Sequence, residues 1–106
     1  MNRGGVERWL AARQPQRPGA LDERIRAIVA GTPDAVVADA PSMARLMGTL
    51  GTRLLADVRA RASASEGLAL DLLAADAFVT YAVEAAAEEG VAVEPLVAEL
   101  LQEASR

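Results

Sequence analysis

The chain has 106 residues, 52% of them apolar and 25% charged, with a net charge of −4; this size and balance suit one folded domain and exclude intrinsic disorder. It contains no Cys, no His and no Lys, since all 11 basic residues are Arg. Disulfides, thiolate nucleophiles, imidazole bases, Cys- or His-ligated metals, Schiff-base lysines and Walker-type phosphate loops are therefore outside its own chemistry.

Alanine is the best helix former and a poor strand former, and this chain has many alanines but only three aromatics, Trp9, Phe78 and Tyr81. The predicted fold class is all-α: a small bundle of four or five helices around a central antiparallel helical hairpin, about 42–62 and 64–89. Residues 1–18 are expected to form a short helix plus a Pro-containing connector, ahead of a single helical domain over 19–106.

In chain order, Val6, Trp9, Leu10 and Arg13 recur on one side of a short helix, and Pro15 and Pro18 then enforce an extended connection. Leu21, Ile25, Ile28 and Val29 give a second helix over about 20–30. Asp22 and Glu23 lie in its first turn, where the helix dipole favours anions, and Gly31 is placed to close it. Thr32 and Pro33 read as N-cap and first residue of one or two turns through about Ala38. Pro41 opens the next helix with Ser42 in its first turn. Met43, Leu46, Met47, Leu50, Leu54 and Val58 form one stripe that carries it to about Ala62.

Ser63 to Glu66 has the spacing of a capping box, predicting a turn and the start of the long helix over 64–89. Leu68, Leu72, Ala75, Val79, Ala82, Val83 and Ala86 are its expected apolar face. Gly90 ends it directly after Glu88 and Glu89, an unfavourable charge placement for a helix C-terminus, which an Arg from elsewhere is expected to relieve. Pro95 opens a last helix over about 94–104, with Leu96, Val97, Leu100 and Leu101 facing inward.

A tight turn at Ser63–Ser65 sets Gly51 opposite Phe78 and Gly48 opposite Tyr81. A helix-interior Gly costs about 1 kcal/mol relative to Ala, so two within one turn need a reason, and room for two rings supplies it. The same register places Arg53 beside Asp76 and Arg59 beside Asp71 as ion pairs. The competing arrangement is one long kinked helix over 42–89, whose stripe a second chain would have to cover. Ala44, Gly48 and Thr52 also form a row of small residues that allows close helix approach, inside the monomer or across a dimer.

Charge divides unevenly. Residues 1–61 carry 10 Arg against 6 acids, and residues 62–106 carry Arg106 against 9 acids, giving +4 and −8. The expected cause is internal complementarity between basic and acidic helices; the functional alternative is a dipolar surface that steers a partner. No Lys/Arg run supports nucleic-acid binding. Asp71, Asp76 and Glu84 interrupt the most apolar stretch, and the start of the chain lacks a signal-like apolar run, so no membrane insertion and a cytoplasmic location are expected.

Candidate sites are few. Glu84, Glu88, Glu89, Glu99 and Glu103 could hold a hard cation, but no EF-hand or Glu-x-x-His pattern accompanies them, and a solvated helix face is the expectation. Asp71 and Asp76 diverge on their helix, which disfavours a carboxylate dyad. Gly48 to Gly51 lacks the Lys and the preceding strand of a phosphate loop. Residues 72–90, LLAADAFVTYAVEAAAEEG, resemble an apolar helix of trans-isoprenyl diphosphate synthases; the DDxxD metal motifs of that family are missing, so its function does not carry over. Trp9 is the candidate for docking a partner, with folding back as a lid over its own core as the alternative. No catalytic, cofactor or metal residue is assigned, and no cofactor is expected. The functional expectation is a non-catalytic interaction protein, an adaptor or small subunit, forming a homodimer or binding a protein partner. The alternative is a binder of a small apolar ligand, with Met47, Phe78 and Tyr81 lining its pocket.

Overall fold

The structure, a computed structural model, describes residues 1–13, 15–61 and 67–105. Among the described residues six helices follow one another, α1 (Arg3–Ala11), α2 (Gly19–Gly31), α3 (Asp34–Asp39), α4 (Met43–Ala60), α5 (Leu68–Glu89) and α6 (Val93–Ala104), and there is no strand. The fold is a small all-α bundle dominated by the antiparallel pair α4 and α5. The expected turn at Ser63–Ser65 and the Ser63–Glu66 capping box lie outside the described residues. The chain nevertheless doubles back: the end of α5 meets the start of α4 and Asp71 meets Arg61, which a single long helix over 42–89 does not permit.

Local chemistry sets the helix ends. The Asn2 side chain accepts from the Gly5 N–H at 2.7 Å, and the Ser42 hydroxyl accepts from the Arg45 N–H at 3.0 Å, so Ser42 is the N-cap of α4 and not part of its first turn. Thr32 does not cap α3 either. Its hydroxyl donates back to the Ile28 carbonyl at 2.8 Å, closing α2, and α3 begins only after Pro33. Gly90 ends α5 at φ 68°, a left-handed conformation that glycine adopts without steric cost, and the Val91 N–H returns to the Ala86 carbonyl at 2.9 Å.

The stripe predicted for α4 is buried throughout, from Met43 to Val58. The face expected of α5 is met only in part: Ala75, Ala82 and Ala86 turn inward as expected, but the large aliphatics do not. Asp71, Ala74, Ala75, Phe78, Tyr81, Ala82, Ala85 and Ala86 are buried, whereas Leu72, Val79 and Val83 are 48%, 44% and 47% exposed. Close approach to Ala44 and Gly51 of α4 leaves room chiefly for methyl groups, so the alanines turn inward and the larger aliphatics turn outward. On α6, Leu96 is buried and Leu100 half-buried, but Val97 and Leu101 face out at 42% and 62%. Helices α1 to α3 cover the other side of the pair and contribute Val6, Leu10, Ile25, Val29 and Val37 to the core. No helix of the described residues is long and apolar enough to cross a membrane.

Candidate functional site

The two glycines of α4 form separate notches. A methyl group at Gly51 would stand 3.3 Å from Phe78 Cβ, 3.4 Å from the Ala75 carbonyl oxygen and 3.1 Å from Val79 Cγ2, so α5 passes there at closest approach. At Gly48 the occupant is Leu100 of α6, whose Cδ1 would lie 2.6 Å from an added methyl. The Gly48–Tyr81 opposition read from the sequence is therefore corrected: the small-residue row accepts α6 of the same chain, and Tyr81 turns to the other side of α5. There its ring meets Trp9 edge-on, with centroids 6.0 Å apart and an interplanar angle of 85°.

Trp9 is folded back onto its own chain and is not presented for docking. Its indole N–H donates to Glu88 Oε1 at 3.0 Å, and the Arg13 guanidinium stacks 3.9 Å from the ring centroid while donating to Glu88 Oε2 at 2.7 Å. Arg13 and the Trp9 N–H together hold the Glu88 carboxyl below its ordinary range. Arg17 donates to the Tyr81 hydroxyl at 3.0 Å and to the Leu10 carbonyl at 3.1 Å, and also pairs with Asp22. That Arg17 hydrogen bond is the main reason the Asp22 carboxyl is held low.

Both predicted ion pairs are replaced. Asp71, with its side chain 6% exposed, accepts at 2.6 Å from Arg24 Nε on Oδ1 and at 2.6 Å from Arg61 Nη2 on Oδ2. Arg61 follows buried Val58 by three residues and shares its side of α4, whereas Arg59 is turned about 100° away and is exposed. Arg53 and Asp76 are both exposed, and neither forms an ion pair among the described residues, because each points away from the contact between α4 and α5. Burial pushes the Asp71 carboxyl up, but the hydrogen bonds from Arg24 and Arg61 outweigh it and leave the group below the usual carboxylate range.

The five glutamates read from the sequence, Glu84, Glu88, Glu89, Glu99 and Glu103, are engaged one by one and are not simply a solvated face. Glu84 and Glu88 face Arg13, while Glu99 and Glu103 share Arg45, the latter at 2.6 Å. Glu89 accepts at 2.9 Å from both the Met43 and the Ala44 N–H groups, so a carboxylate from the end of α5 caps the start of α4. The charge conflict at the α5 C-terminus is thus relieved twice over: Arg13 pairs with Glu88, as expected of an arginine from elsewhere in the chain, and backbone donors of α4 take Glu89. Among the described residues no three acidic side chains come together as metal ligands.

The surface clefts among the described residues include two bordered by charged side chains. The larger, about 740 Å³, is bordered by Leu10, Arg13, Arg17, Asp22, Arg26 and Val29. Its arginines are already spent on Glu88 and Asp22. The smaller, about 310 Å³, lies between α3, α4 and α6 beside Val36, Arg45, Thr49 and Arg53. Neither is lined by Met47, Phe78 or Tyr81; Met47 and Phe78 are fully buried in the core.

Part of the apolar surface of the described residues also lacks an internal partner. Leu72, Val79 and Val83 recur on one side of α5, as do Val93, Val97 and Leu101 on α6, and all six are at least 40% exposed. The two sides adjoin, because Val79 reaches the Gly51 notch and Leu100 fills the Gly48 notch one turn away on the same face of α4. The sequence carries a signal for this: α5 has more large aliphatics than a single core-facing stripe accommodates. No protein-family model, curated protein or solved structure matches this chain.

Proposed function

We propose that this is a non-catalytic helical interaction protein, an adaptor or small subunit of a larger assembly, which engages its partner through the bare side of α5 and α6. The observation that carries the reading is that exposed aliphatic surface, contributed by two neighbouring helices and not by scattered side chains. The state of the carboxylates supports it. Asp71, Glu88 and Glu89 each already accept from arginine, indole or backbone donors, so each is committed to holding helices together.

A photo-crosslinking residue placed at Val83, compared with one at Leu73 about 80° round the helix, tests the reading in native lysate. A discrete adduct at Val83 and none at Leu73 is the expected result. An uncrosslinked monomer from both positions would overturn it.

A further inference from the structure

Resting on that reading, we propose that the partner is a cationic amphipathic helix of another protein, laid along α5 and α6 between Asp76 and Glu94. Size argues first. Six side chains about half exposed leave on the order of 300 Å² of apolar surface in water. That reaches the scale at which patches on single chains serve as binding sites, but it falls short of the roughly 450 Å² of apolar surface within the ~800 Å² per partner that a standard interface between folded proteins buries. The ledge from Leu72 to Val83 is about 17 Å long, the length of three helical turns. A single helix matches that footprint better than a second copy of the whole bundle does.

Charge argues second. Asp76 lies among Leu72, Val79 and Val83 on one side of α5, and Glu94 shares a side of α6 with Leu101. Both carboxylates are exposed, and neither has an ion-pair partner among the described residues. The described arginines outside any ion pair, Arg8, Arg53 and Arg59, belong to α1 and α4. A second copy of the chain would set these carboxylates against their own like in a half of the sequence that already carries −8. A helix with Leu or Val at i, i+3, i+4 and i+7, flanked by Lys or Arg, instead places apolar groups on the ledge and cations beside Asp76 and Glu94.

The probes are two fluorescein-labelled 14-residue helical peptides with the same Leu spacing, one with Lys and one with Glu at the remaining positions. Binding to the full chain is followed by fluorescence anisotropy. The Lys peptide is expected to bind at least tenfold tighter than the Glu peptide. The double variant Val83→Ser with Leu101→Ser, which keeps every charge and alters only exposed positions, should weaken it at least tenfold. Leu73→Ser should leave it unchanged. Circular dichroism of each variant establishes that the helices are intact.

Equal binding of the two peptides, or undiminished binding by the double variant, overturns the proposal. A dimer in light scattering that Val83→Ser with Leu101→Ser dissociates also overturns it, while leaving the interaction reading in place. A monomer that binds neither peptide and gives no Val83 adduct removes both.

Discussion

Glu89 shows how one side chain can serve two helices. Its carboxylate lies at the C-terminus of α5, where the helix dipole disfavours a negative charge, and at the N-terminus of α4, where the dipole and two free N–H donors favour it. The second environment prevails because it supplies two hydrogen bonds at 2.9 Å. Glu89→Ala is expected to destabilise the fold by about 1–2 kcal/mol, the range of a lost helix cap, and Glu89→Gln by about half as much, since an amide oxygen still accepts. Urea unfolding measures this as a fall in midpoint at constant slope; a midpoint equal to wild type in Glu89→Ala would remove the capping role. The sequence announced the conflict, two glutamates before Gly90, and an arginine as its relief, which Arg13 supplies at Glu88; it did not announce the backbone cap at Glu89. The donors lie more than forty residues earlier, and only the antiparallel return of the chain brings them together. Trp9 was ambiguous for the same reason, since its acceptor Glu88 is 79 residues away along the chain.

Helix positions were legible where burial is one-sided, and the faces were not legible where it is not. The α4 stripe could be read because Met43, Leu46, Met47, Leu50, Leu54 and Val58 differ in hydropathy from what lies between them. Around α5 that contrast is weak, and hydropathy alone points the side with the largest aliphatics at the core. Packing decides otherwise, because alanines fit against α4 where leucines do not. The two glycine notches make this measurable. Ala at Gly48 gains about 1 kcal/mol of helix propensity but drives a methyl into the Leu100 side chain. Gly48→Ala alone is therefore expected to change stability by less than about 0.5 kcal/mol, whereas in a Leu100→Ala background it should stabilise by about 1 kcal/mol. Equal effects in the two backgrounds would mean that Leu100 does not occupy the notch. At Gly51 the obstacles are Phe78 Cβ and the Ala75 carbonyl, which move only with the α5 backbone. Gly51→Val should cost about 2–3 kcal/mol in thermal or urea unfolding, as overpacking does at close helix contacts.

Across the whole molecule the charge asymmetry of the sequence becomes a set of clasps, in which arginines of the first half grip acids of the second. Arg13 reaches α5 from just beyond α1, Arg24 from α2, Arg45 joins α4 to α6, and Arg61 joins the end of α4 to α5. The pattern as a whole followed from counting charges; the individual pairs did not, because a helical register fixes height along the axis and not the side to which an arginine turns. The clasp at Asp71 is the most buried of them, and it makes the fold acid-sensitive in a defined direction. Its carboxyl is held below the usual range in the folded protein, so the folded state binds that proton less readily than the unfolded chain does. The stabilisation is then fully present above the unfolded value near 4. It is lost progressively as pH falls from there through the lowered folded value. Asp71→Asn should lower stability at pH 7 by about 2 kcal/mol, less than for a fully buried pair because Arg24 and Arg61 are each about one-third exposed and regain water. The gap between wild type and variant should narrow as unfolding is repeated at successively lower pH below about 4. Paired urea titrations of the two proteins test this, and a gap that stays constant over the acid range would show that the ionised form of Asp71 is not what the two arginines hold.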